Sequence, residues 1–175
     1  MEHAGVSDLV QEAKRGDQHA FTELLRPLLE PAFRLAVGML LDRALAEDAV
    51  QEAAVKAWRK IRQLRDGRPV SPWFLGIVAN ECRTIRRGRW WQVLKGDRPS
   101  ALRAQSDQVD TGVDLRRALS RLSADQRLVI VLYFYLDLPL DQIAITTRSS
   151  YAAVRGRLYR GLRKLRVDPA LLVSS

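Results

Sequence analysis

Apolar positions along this chain recur at intervals of three and four, with almost no alternation in twos. That is the repeat of a helix with one buried side, so the pattern predicts an all-α protein. Ser7 is placed to cap a first helix with Leu9, Val10 and Ala13 on its apolar side, and Gly16-Asp17 ends it. Asp17 in turn caps a second helix, in which Ala20, Phe21, Leu24, Leu25 and Leu28 form a broad apolar face. Pro27 and Pro31 each remove a backbone donor, so a kink or break is expected between Arg26 and Ala32. Phe33 to Leu41 resumes as a buried segment. Arg43 to Ile61 is the clearest helix of the first half. Leu45, Ala49, Val50, Ala53, Ala57, Trp58 and Ile61 face inward, and Glu47, Asp48, Gln51, Glu52 and Lys56 lie largely outside.

Gln63 to Ser71 is a loop punctuated by Asp66-Gly67 and Pro69, after which Ser71 caps a helix with Pro72 at its first position. That helix begins core-like with Trp73, Phe74, Ile77 and Val78, then turns basic at Arg83, Arg86, Arg87 and Arg89 before Trp90 and Trp91. Arginines beside aromatics suit a single nucleic-acid strand, whose phosphates pair with guanidinium groups and whose bases stack. Each tryptophan alone reads equally well as core. Gly96 to Val113 is poor in large apolar residues and carries Asp97, Asp107 and Asp110, so it reads as a flexible acidic linker. Extended, it reaches roughly 60 Å, and the helical units on either side need not touch. Asp114 caps a helix from Leu115 to Leu122; Ser123, with Asp125-Gln126, caps a densely apolar one from Gln126 to Tyr135 that Asp137 to Pro139 ends.

Leu138 to Ala144 then reads as a loop end and a short helix, and Ser149 and Ser150 can cap another near Tyr151. Gln142 to Val167 holds seven basic residues and no acid, with Val154, Leu158, Leu162 and Leu165 as a narrow apolar stripe. Two helices, the second cationic, describe a helix-turn-helix whose second member enters a DNA major groove. The plainer alternative is a solvated basic face on a surface helix.

Composition narrows the function classes. The 175 residues, 47% of them hydrophobic, suffice for one domain or two small ones, and a net charge of +9 points to a polyanionic partner. No apolar run approaches the ~20 residues of a membrane span, and the amino terminus lacks the apolar core of a signal peptide. A cytoplasmic protein without membrane insertion is expected. Cys82 is the only cysteine, which excludes an internal disulfide and reads as a buried small hydrophobe. With His3 and His19 the only histidines, neither a structural zinc site nor a cofactor is expected. A nucleic-acid-processing enzyme would need clustered carboxylates for a metal, or a base beside a nucleophile, and the chain offers neither. The acidic cluster Glu47, Asp48 and Glu52 has two readings, helix-dipole matching or a docking surface for a basic partner.

Five motifs in order resemble the extracytoplasmic-function (ECF) sigma factors, the small two-domain bacterial sigma factors, over nearly the whole chain. They are KRGDQHAF (Lys14 to Phe21), AEDAVQEAAVKAW (Ala46 to Trp58), WFLGIVAN (Trp73 to Asn80), LSRLSADQRLVIVLYFYLDLPLDQIA (Leu119 to Ala144) and AAVRGRLYRGLRKL (Ala152 to Leu165). The resemblance implies a specificity subunit, not an enzyme, that binds core RNA polymerase and promoter DNA, with an anti-sigma factor as a further partner. It implies a region 2-like domain over residues 1–95, a linker over 96–113 that threads towards the polymerase active centre, and a region 4-like domain over 114–175. By the same resemblance Asp48, Gln51 and Glu52 dock on polymerase. Asn80, Arg83, Arg86 and Arg87 contact and open the minus-ten element, and the loop Arg65 to Ser71 holds a flipped base. Arg155, Gly156, Tyr159 and Arg160 read the minus-thirty-five element, with Arg148, Arg157 and Arg163 on phosphates. The chain departs from the family's pattern at Ala54, where an aromatic is usual, and at Thr147-Arg148, where an apolar residue and a glycine are usual; Pro27 and Pro31 are also unusual. Arginine at that glycine position should cost about 1 kcal/mol or force another turn geometry. A conventional repressor or activator accounts for the helix-turn-helix alone and leaves the acidic and tryptophan-bearing helices without a role.

Overall fold

A computed structural model of the chain describes residues 2–94 and 110–166. Among the described residues there are eight α-helices: α1 (Glu2–Arg15), α2 (Gln18–Leu40), α3 (Arg43–Lys60), α4 (Val70–Leu94), α5 (Asp110–Ser120), α6 (Ala124–Ile130), α7 (Leu140–Thr147) and α8 (Tyr151–Leu165). A 3-10 turn, Ile61–Gln63, follows α3, and a π-helical turn, Val131–Tyr135, continues α6. The described residues contain no strand.

Local capping sets most of the boundaries. Gly16 (φ 103°) closes α1, and the Asp17 carboxylate accepts from the amides of His19 and Ala20 to open α2. The Asp42 carboxylate accepts from the Leu45 amide at the start of α3. Ser123 and Gln126 exchange side-chain and backbone bonds in a capping box that starts α6, and the Ser150 hydroxyl accepts from the Ala153 amide to start α8.

Several boundaries differ from the sequence expectation. Ser7 lies inside α1, which begins five residues earlier. The break expected between Arg26 and Ala32 is absent, and α2 is helical through both prolines. Pro27 is exposed, whereas Leu24, Leu25, Ala32 and Leu35 are buried on the packed side, so burial there outweighs the donors lost at the prolines. Pro72 stands third in α4 rather than first, and α4 runs through Gly88 to Leu94, which places the backbone of Trp90 and Trp91 on the helix. The linker ends earlier than expected, because α5 starts at Asp110; Asp97 and Asp107 lie outside the described residues.

The sequence leaves open whether the two helical units touch, and the structure packs them together. The helices before and after the linker share one hydrophobic core, in which Leu35, Met39, Phe74 and Val78 join Leu128, Leu132, Ile143, Leu158 and Leu162. Close approach across this seam needs two glycines. A Cβ at Gly38 would stand 2.8 Å from both Cγ atoms of Val131, and one at Gly76 would stand 2.9 Å from the Thr146 carbonyl oxygen. Each half also supplies a donor to a helix end of the other. Arg127 Nη1 donates to the Met39 carbonyl at 2.9 Å, and Arg34 Nη2 donates to the Tyr135 carbonyl at 2.6 Å with its guanidinium 4.3 Å from the Tyr135 ring centre. A smaller cluster of Val10, Ala13, Leu24, Ile61, Leu64 and Val70 holds α1 to the first half.

Candidate nucleic-acid and polymerase interfaces

Helix α8 is two-sided. Val154, Leu158 and Leu162 are fully buried, and Gly161 lets α6 come close, since a Cβ there would meet Ile130 Cδ1 at 2.6 Å. The side away from the core carries Arg155, Arg160 and Arg163, all exposed, with half-buried Tyr159 beneath the Arg155 guanidinium at 5.6 Å. Gly156 leaves room for Arg160, whose Nη1 would lie 3.1 Å from a Cβ at that position. Arg157 is half-buried and donates to the Ser149 hydroxyl at 2.7 Å, so it braces the turn between the two helices. Arg148 caps α7 in the left-handed conformation (φ 51°, ψ 43°), the geometry glycine favours. The turn therefore keeps its ordinary shape and carries the strain. Exposed Tyr151, at the first position of α8, extends this surface and is not legible from helical periodicity.

The second basic group lies along α4 and the loop before it. Arg83 Nη1 donates to the Asn80 side-chain oxygen at 3.2 Å and Nη2 to the Asp125 carboxylate at 2.8 Å, so the start of α6 already occupies this arginine. Arg86 is half-buried; its Nη1 has no hydrogen-bond partner among the described residues, and burial holds its pKa below the ordinary arginine value. Arg127 is 3% exposed and lowered to about 10, first by burial and then by the Arg86 charge. Burial pushes the Cys82 thiol up to about 12, with the Glu81 carboxylate adding to it, which leaves an inert buried side chain. Arg87 is exposed.

Arg65, Asn80 and Arg83 meet Arg148 around one cavity of about 560 Å³, lined also by Lys60, Arg68 and Trp73. The seam therefore draws a cation of the helix-turn-helix into the same space as three of the minus-ten candidates. Arg86 and Arg87 are not among its lining residues.

On α3, Asp48, Gln51 and Glu52 are exposed on one face, and Val55, one turn on, adds an apolar side chain that is 45% exposed. Glu47 pairs with Arg43 at 3.4 Å and Lys56 with Glu81 at 2.5 Å. Asp48 and Glu52 have no ion-pair partner among the described residues. Among the described residues, no group of three His, Cys, Asp or Glu could hold a metal ion, and no helix is long and apolar enough to cross a membrane.

The family model of sigma-70 region 2 matches residues 24–92, and that of sigma-70 region 4 matches residues 112–165. ECF RNA polymerase sigma factor SigL of Mycobacterium tuberculosis is 32% identical over 142 residues, spanning 77% of this chain and 80% of that protein. The chain belongs to the ECF sigma factors. RNA polymerase sigma factor SigV of Bacillus subtilis is 29% identical over 137 residues, 78% of this sigma factor and 82% of the other. Among solved structures, the sigma factor RpoE of Bartonella quintana, in complex with the anti-sigma factor NepR, superposes with a TM-score of 0.68. It is 26% identical and covers 83% of this chain and 94% of its own. CnrH, in complex with the cytosolic domain of CnrY, superposes with a TM-score of 0.72 over 98% of this chain and 99% of its own; at 24% identity it shows the shared fold. As a sigma factor, the protein binds core RNA polymerase and promoter DNA in transcription initiation. Sigma factors regulate transcription and are not catalysts.

Proposed function

We propose that this sigma factor works through three surfaces. Asp48, Gln51 and Glu52 dock on core polymerase, with Val55 as an apolar contact beside the carboxylates. Asn80, Arg83, Arg86 and Arg87 of α4, with Arg65 of the preceding loop, contact and open the minus-ten element. On α8, Arg155, Gly156, Tyr159 and Arg160 read the minus-thirty-five element in the major groove, and Arg148, Arg157 and Arg163 sit on phosphates. Residues 1–95 and 114–175 act as the two domains, and residues 96–113 thread between them towards the polymerase active centre. The protein acts in the cytoplasm, has no catalytic activity of its own, and is held in check by an anti-sigma factor, as the NepR complex of its structural relative suggests.

The observation that carries this reading is the two-sidedness of α8. Arg155, Arg160 and Arg163 stand exposed because Val154, Leu158 and Leu162 fix the opposite side in the core, so a duplex meets a preset row of donors. Run-off transcription on pooled genomic fragments, with bacterial core polymerase, tests it. Discrete transcripts that require the protein, and that lose abundance with Asp48→Ala/Glu52→Ala or Arg155→Ala, are expected. Tight sequence-specific duplex binding by the protein alone, with no new transcripts, would favour a conventional repressor or activator instead.

A further inference from the structure

The cavity at the seam has a chemistry that the promoter roles account for only in part, since Lys60, Arg68 and Trp73 carry none of them. Of its five cations, Arg83 is engaged by Asp125, while Lys60, Arg65, Arg68 and Arg148 are exposed and have no ion-pair partner among the described residues. No carboxylate among the described residues lines the cavity. Four like charges around one space repel one another until an anion enters it. The walls are not uniformly polar, since half-buried Trp73 offers an aromatic surface beside Pro69 and Pro72, and the Asn80 amide stands at the edge. A volume of about 560 Å³ is that of a small-molecule site.

The arrangement exists only when the two halves of the chain are together. Lys60 ends α3, and Arg65 and Arg68 lie in the segment between α3 and α4, whereas Arg148 comes from the end of α7 across the seam. Arg148 reaches its place from a left-handed backbone, and Gly76 is what lets the end of α7 sit there, through its close approach to the Thr146 carbonyl.

We propose that this cavity binds a free nucleoside polyphosphate, which clamps the two halves of the chain together. The polyphosphate lies among Lys60, Arg65, Arg68 and Arg148, the base lies against Trp73, and the Asn80 amide meets the base edge. A bare pyrophosphate would satisfy the cations and leave Trp73 and Asn80 unused, so it binds more weakly. A nucleotide held here occupies Arg65 and Asn80, and it favours the closed chain over one whose halves have separated. The binding itself does not depend on the promoter roles proposed above; only its effect on transcription does.

Calorimetric titration of the free full-length chain with ATP tests this, with pyrophosphate and a short single-stranded oligonucleotide as the comparison ligands. Saturable one-to-one binding of ATP, tighter than that of pyrophosphate, is expected. Arg148→Gly is the decisive variant, because glycine accepts the left-handed turn without strain and removes only the charge. It should weaken ATP binding about tenfold, as should Arg68→Ala, each losing a charge-assisted contact. Arg26→Ala, a substitution on α2 outside the cavity, should bind ATP as the parent does. Gly76→Ala should also weaken binding while circular dichroism shows its helices intact. The proposal is overturned by absence of saturable ATP binding, by equal affinity in Arg148→Gly, by an equal loss in Arg26→Ala, or by binding of the oligonucleotide alone.

Discussion

Arg127, on α6, donates to the carbonyl of Met39 in the last turn of α2 from a position that is 3% exposed. The guanidinium closes a helix end that would otherwise lack a donor, but it does so at a cost. Its Nε has no partner among the described residues, and its pKa lies near 10 because burial and Arg86 both disfavour the charge. Arg127→Met, which keeps the volume and drops the charge, should leave stability within about 1–2 kcal/mol of the parent. Arg127→Ala, which adds a hole to the lost hydrogen bond, should cost about 2–4 kcal/mol in urea unfolding. The pH dependence follows from a basic group whose folded pKa is depressed. The unfolded chain binds the extra proton, so the parent gains stability relative to Arg127→Met as pH rises through about 10. A flat difference between pH 9 and 11 would contradict this.

Gly76 and Thr146 set how closely α4 and α7 approach. Because an added Cβ would meet a backbone oxygen at 2.9 Å, Gly76→Ala cannot be absorbed by a rotamer change and must separate the helices. The expected cost is about 1–3 kcal/mol, with a larger radius of gyration in small-angle scattering and unchanged helix content. An unchanged radius would mean that the seam yields by bending within one half.

If Arg83 contacts the minus-ten strand as proposed, Asp125 competes with that strand for it. The pair is 2.8 Å apart, but its side chains are 30% and 49% exposed, so solvent screening limits it to about 0–1 kcal/mol. Asp125→Asn should tighten binding of a single-stranded minus-ten oligonucleotide by no more than about fivefold. Weaker binding in fluorescence anisotropy would show that Asp125 positions Arg83 for the strand.

Arg155 and Arg163 should separate reading from anchoring. Arg155→Ala is expected to lower discrimination between matched and scrambled minus-thirty-five elements by about 1–3 kcal/mol. Arg163→Ala should weaken both alike and reduce the slope of log affinity against log salt by about 0.9. Polymerase holoenzyme titrated against the two duplexes at several salt concentrations measures both effects.

Lys14 Nζ lies 2.6 Å from Asp66, whose carboxyl is held below its usual 3.8 by the Lys14 and Gln11 hydrogen bonds and then by the Lys14 charge. A depressed carboxylate stabilises the fold above its unfolded value and loses that contribution as pH falls through the folded one. The tie between α1 and the loop before α4 should therefore persist below pH 3.8 and then release. Carboxyl chemical shifts of Asp66 followed through acid report this, and Lys14→Met should raise its midpoint towards the ordinary value, with the Gln11 hydrogen bond still holding it below.

What was legible in the sequence was local. Asp17, Ser123 and Ser150 cap their helices because a short polar side chain reaches amides two or three residues on, and no distant residue alters that geometry. The buried stripe of α8 and the exposed face of α3 follow from helical period alone. The uninterrupted α2 was not legible, because proline's local penalty is outweighed by packing on Leu24, Ala32 and Leu35. Nor was the seam, since nothing near Gly38 or Gly76 shows which side chain will approach it from beyond the linker. Arg127 did leave a trace as the lone cation in a densely apolar run, but its carbonyl partner lies 88 residues away.

The shared core also bears on how the chain is made. Residues 2–94 leave the ribosome before α6 and α8 exist, yet Leu35, Met39, Phe74 and Val78 are covered in part by Leu128, Leu132 and Leu158. At ordinary translation speeds that side of α2 and α4 stays bare for a few seconds or longer. The nascent chain thus presents an oily surface to the cell until its own carboxy-terminal half arrives to close over it.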